Sequence, residues 1–97
     1  NWAELAAAEL MTLRAAELYD TGRPCGAEAN AAKYLAGDAA FRAADQAVRT
    51  HGGFGYASEY NVERYFREAV LTRLGPVSRE LVLCYIAERV LGLPKSY

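Results

Sequence analysis

The residues best suited to hold a ligand lie in HGGFGYASEYNVERYFREA, residues 51–69. Gly52, Gly53 and Gly55 can take positive φ without strain and leave backbone N–H groups uncovered. Amides presented in that way suit an anionic or carbonyl-bearing ligand. The same glycines also suit a plainer role, a helix C-cap followed by a tight turn. His51, the single histidine, reads as a capping or packing residue at a helix end rather than a proton carrier. Cys25 and Cys84 lie far apart and form no CxxC pair, so no metal site is expected. A disulfide between them stays open. The low cysteine count points to a reducing cytoplasm.

The elements that must position the loop are helical. WAELAAAELMTLRAAELYD, residues 2–20, holds strong helix formers and neither Gly nor Pro. Asn1 is placed as its N-cap, with Glu4 completing a capping box. Trp2, Ala6, Leu10 and Leu13 form one stripe, and Leu5, Ala8, Ala15 and Tyr19 another. A helix apolar on two sides is packed between neighbours. Gly22 and Pro24 stop it.

A second helix is expected from about Gly26 to Thr50, with Ala31, Tyr34, Gly37, Phe41, Ala44 and Val48 on one face. Gly37, Ala40, Ala44 and Ala47 would let a neighbouring backbone come close. A third helix fits Val62 to about Leu74. A fourth is expected near Gly75–Pro76, with Pro76 in its first turn. This last helix is apolar nearly all round and is expected to be central, or buried against a partner chain. Gly92 and Pro94 end it. The expectation is one all-α domain over residues 1–97, an up-and-down four-helix bundle with short connections.

The chain has 97 residues, enough to bury roughly two-thirds of its unfolded surface, so a core is possible but not generous. Its net charge of −1 gives no pull toward nucleic acid or an anionic membrane. No apolar run approaches the roughly 20 residues that span a bilayer. The chain opens at Asn1 without an initiator Met, directly in helical sequence, and so reads as a piece of something longer.

HGGFGYASEYNVERYFREAVLTR resembles the C-terminal signature of the acyl-CoA dehydrogenases. Gly52, Gly53, Gly55, Tyr56, Glu59, Arg64 and Glu68 fall in register with it. The upstream AAKYLAGDAAFRAADQAV is similar to that family's penultimate long helix. The resemblance covers nearly the whole chain and implies the later part of the family's C-terminal helical bundle. It implies FAD as cofactor, an acyl-CoA thioester as substrate, an electron-accepting flavoprotein, and assembly as a homodimer or homotetramer. A carboxylate would take the α proton while FAD takes the β hydride.

The resemblance also places residues. Gly52 and Gly53 become cofactor-contacting backbone, approached by the FAD of a neighbouring subunit. Arg49 stands where the signature has glutamine. It reads either as a cation near the cofactor's pyrophosphate or as a solvated surface arginine. Arg64 and Arg67 belong to ion pairs that hold the loop. Ser78 keeps a hydroxyl where the family has a flavin-contacting threonine, and its place at a helix start suits a phosphate. Glu80 holds the later polar position.

The pattern breaks at the catalytic base. That position holds Pro76, which accepts no proton, so no catalytic residue is assigned. Some family members carry the base on the bundle's first helix, which the resemblance does not cover. A relative with altered chemistry, or Glu80 as a substitute, are the other readings. The ending VLGLPKSY is a candidate for docking on a neighbouring subunit.

Overall fold

A computed structural model describes residues 1–96; Tyr97, the last residue of the tail, lies outside the described residues. The described residues are helical without a strand. Helix α1 is Trp2–Asp20, α2 is Gly26–His51, α3 is Val62–Leu74 and α4 is Arg79–Tyr85. Two 3₁₀ turns, Gly52–Tyr56 and Ser58–Tyr60, join α2 to α3, and a π turn, Ile86–Val90, extends α4.

Helix α1 ends as its sequence dictates. Gly22 takes φ +71°, which lets the Arg23 N–H donate back to the Leu18 carbonyl at 2.9 Å. Its start differs from expectation, because Asn1 makes no side-chain cap. Glu4 faces α2 and accepts a hydrogen bond from Arg42, a charge-assisted bond that outcompetes the capping box.

Helix α2 is the centre of the molecule. Helices α1, α3 and α4 each pack on it, and none of the three packs extensively on another. Of the two places expected for the last helix, the central one is thereby corrected, because α2 occupies it. Small residues on several sides of α2 let neighbours approach closely. At Gly37 a Cβ would sit 3.2 Å from the Thr72 carbonyl oxygen of α3. Phe41 packs on Phe66 of α3 with ring centroids 5.6 Å apart. Ala32 and Ala39 of α2 and Ala8 and Leu18 of α1 are buried.

The fourth helix starts at Arg79, later than Pro76. Residues 75–78 are an extended corner instead, because Ser78 caps α4. Its Oγ accepts from the Leu81 N–H at 3.3 Å. Val82, 1% exposed, anchors α4. The segment closes with Gly92 at φ +68° and the Leu93 N–H on the Ala87 carbonyl at 2.9 Å. The result is a flat molecule of 46 × 32 × 20 Å. Trp2, Leu10 and Leu13 of α1 point away from α2 and stay exposed. Leu5 and Tyr19 of the other stripe are exposed as well, so neither stripe read from the sequence is the covered one, and the apolar residues of α1 that turn inward run Ala8, Met11, Ala15 and Leu18.

Candidate functional site

The glycine loop forms where α2 stops. Gly52 takes φ +60°, a conformation that favours glycine, and its N–H donates to the Arg49 carbonyl. That amide is thus engaged in ending the helix, contrary to the expectation that it stands uncovered. His51 ends the helix too, with Nδ1–H donating to the Ala47 carbonyl at 2.8 Å. Gly55 is buried on α2, and a Cβ there would come within 2.9 Å of Val48 Cα. Only glycine permits that approach. Gly53 is different: it is exposed, its φ is not positive, and a Cβ would meet nothing within 4 Å. The fold of this chain does not require glycine at that position.

Around the loop, Phe54 packs on Tyr60 at a tilt of 48°, with centroids 5.2 Å apart. An open cavity of about 550 Å³ lies beside it, lined by Val48, Gly55, Tyr56, Ser58, Glu63, Phe66 and Arg67. Arg49 is exposed and donates from Nε to Asp45 Oδ2 at 2.9 Å. Arg64 pairs with Glu68 at 3.7 Å and Arg67 with Glu63 at 3.8 Å, both along α3 rather than to the loop.

The other two residues expected at a cofactor lie elsewhere. Ser78 caps α4, and Glu80 is exposed in its first turn. This corner packs against the middle of α2, near Asp38. Fourteen residues separate Asp38 from Gly52, about 20 Å along the helix. The structure therefore brings Arg49, Gly52 and Gly53 together at one end of α2, and Ser78 and Glu80 together at its middle. Pro76 is exposed at the corner.

Asp38 is the residue that sequence reasoning missed. It is 6% exposed and meets three arginines. Arg79 donates to both its oxygens, at 2.9 and 3.1 Å. Arg73 Nε lies 3.2 Å from Oδ1, and Arg42 Nη2 lies 3.6 Å from Oδ2. Burial pushes the Asp38 carboxyl up, but the Arg79 hydrogen bond and the charges of Arg79, Arg73 and Arg42 outweigh it and hold it below the usual carboxylate range. Arg79 also donates to the Tyr34 hydroxyl at 3.3 Å and lies over that ring, 5.0 Å from its centroid. Arg73 lies 4.6 Å over the Phe41 ring. The available signal was a carboxylate set among small residues in LAGDAAF, with a cation four residues on at Arg42.

Lys33, just over one turn before Asp38, donates to the carbonyls of Thr72 and, at 3.0 Å, of Gly75. Both cysteines are free. Among the described residues no cluster of His, Cys, Asp or Glu could hold a metal ion. No helix among them is long and apolar enough to cross a membrane.

The sequence profile of the acyl-CoA dehydrogenase C-terminal domain matches residues 1–91. The chain belongs to the acyl-CoA dehydrogenase family. Acyl-CoA dehydrogenase FadE12 of Mycobacterium tuberculosis is 50% identical over 96 residues, covering 97% of this chain and 25% of that protein. An acyl-CoA dehydrogenase of Bacillus subtilis is 41% identical over 86 residues, 89% of this chain and 23% of that one. A solved structure from work on the electron transferring flavoprotein of Acidaminococcus fermentans superposes with a TM-score of 0.87 at 30% identity. That match covers 92% of this chain and 23% of the other. This acyl-CoA dehydrogenase C-terminal domain thus spans about a quarter of the length of the curated relatives it matches.

Proposed function

We propose that this chain is the C-terminal bundle segment of a FAD-dependent acyl-CoA dehydrogenase-like oxidoreductase, supplying FAD contacts and subunit interface. One observation carries the reading. Gly53 is a glycine that neither backbone conformation nor packing in this chain explains. A side chain there would intrude on whatever approaches the loop from outside, and a cofactor held by a neighbouring subunit is such a group. The adjacent cavity of about 550 Å³ is in the size range of ligand sites.

The residues present fit a partial flavin site. Gly52 and Gly53 would admit the cofactor close to the backbone, and Arg49 would exchange Asp45 for a phosphate oxygen. Ser78 Oγ already accepts from the Leu81 N–H, which leaves its own hydrogen to donate. Glu80, exposed in the first turn of α4, would offer an acceptor. FAD would supply the acceptor for the hydride leaving the β carbon of the thioester. Pro76 accepts no proton, and this reading places the base outside this chain, on the first helix of the family's bundle. The assembly would be a homodimer or homotetramer in the cytoplasm, passing electrons to a flavoprotein acceptor. In this reading α1–α4 form the up-and-down four-helix bundle, and a further helix would lie against the uncovered face of α1.

A second reading rests on Pro76. A proline at the base position also fits a family relative whose dehydrogenase chemistry is altered or lost, with these helices kept for assembly. One experiment separates the two. The full-length protein carrying this chain is purified, its visible spectrum recorded, and saturated acyl-CoAs added without oxygen. Bleaching of the flavin band is the expected result. A yellow protein that no acyl-CoA bleaches would favour the second reading, and a colourless one would defeat the first.

A further inference from the structure

We propose that Asp38 is a positioning residue for the cofactor, acting through Arg79 and Arg73 to set the Gly75–Ser78 corner and hence the Ser78 hydroxyl. The proposal rests on the reading of this chain as part of a flavin site. It concerns a residue that has no direct contact in that site.

The corner has little else to hold it. Leu74 is 63% exposed and Val77 44%, and Pro76 is exposed as well. Apolar packing therefore cannot fix where residues 74–78 lie. Polar ties from α2 do. Arg73 immediately precedes the corner and Arg79 immediately follows it. Both end on the same carboxylate, Asp38. Arg79 is further fixed by Tyr34, and Arg73 by the face of Phe41. Lys33 closes the arrangement from one turn away through the Thr72 and Gly75 carbonyls. A two-pronged guanidinium–carboxylate bond fixes direction as well as distance. Arg79 adjoins Ser78, so the Asp38–Arg79 fork sets both the start of α4 and the direction of Ser78 Oγ.

The test uses the full-length flavoprotein carrying this chain, with FAD affinity measured by reconstitution of the apoprotein. Asp38→Asn keeps the shape of the side chain and removes its charge. It is expected to weaken FAD binding by roughly tenfold, with secondary structure and subunit assembly retained. Ser78→Ala is expected to weaken binding by itself but to add nothing to Asp38→Asn, because the hydroxyl is then already misplaced. Arg23→Gln, in the exposed turn between α1 and α2, serves as a control with no effect. Full additivity of D38N and S78A, or unchanged FAD affinity in D38N, would overturn the proposal. Should D38N fail to fold, Arg79→Lys carries the test. It keeps the charge but loses the fork, and must show the same lost coupling to Ser78. A wild-type apoprotein that takes up no FAD would instead remove the underlying reading, a result distinct from any of these.

Discussion

Arg79 holds Asp38 in a two-pronged grip, Nε on Oδ1 at 2.9 Å and Nη2 on Oδ2 at 3.1 Å, across 41 residues of sequence. The grip predicts a pH dependence. In the unfolded chain an aspartate titrates near 3.9, roughly. In the fold the Asp38 value is lower, so its contribution to stability is fully present above about pH 4 and is lost as pH falls through the folded value. Denaturation midpoints of the wild type and Asp38→Asn should therefore differ at neutral pH and converge below about pH 4. A gap that widened on acidification would contradict the assignment.

The two glycines that flank Phe54 should respond in opposite ways. Gly55→Ala drives a methyl group into the Val48 backbone and should cost about 1–3 kcal/mol by chemical denaturation. Gly53→Ala meets nothing and should leave stability within about 0.5 kcal/mol of wild type. In the full-length protein the same Gly53→Ala should lower flavin retention. Equal stability losses at both positions would refute the distinction.

Gly26 opens α2 against the hydroxyl of Tyr85, which a Cβ at Gly26 would strike. Gly26→Ala should destabilise the chain, and the cost should shrink when Tyr85→Phe removes the oxygen. A double-mutant cycle in thermal unfolding measures this directly. Simple additivity would place the strain elsewhere.

Helix α1 leaves Trp2 82% exposed and Leu13 59%, with Leu10 beside them. Apolar surface of this kind seeks a partner. The 97-residue chain should self-associate in sedimentation equilibrium, and Leu13→Glu should shift it toward monomer. It should also fail to retain FAD alone, because much of the proposed flavin site lies outside it. A monomeric wild type at high concentration, or saturable FAD binding by the isolated chain, would count against these expectations.

The helices were legible because their punctuation is local. Gly22 and Pro24 end α1, and Gly52 ends α2, through backbone rules that need no tertiary partner. The third helix also starts at Val62 as read, with Asn61 at φ +59° before it. The fourth start was misread at Pro76 because proline and serine both suit a helix beginning. The choice between them was made by Ser78's cap and by Lys33, 42 residues away from Gly75. Asp38 was invisible for the same reason: two of its three arginines come from α3 and α4. The two roles of the glycine loop were legible only in sum. Gly55 serves packing and Gly52 serves backbone conformation, while Gly53 serves neither.

The two candidate patches share one uninterrupted helix, and this has a geometric consequence. Between Asp38 and Gly52 the spacing is set by the pitch of α2 and by no hinge. Inserting one residue in that stretch would turn the glycine loop by about 100° relative to the Asp38 corner, whereas inserting a full heptad would nearly restore the phase at a greater span. The bearing of each patch on the other is thus encoded as a count of residues.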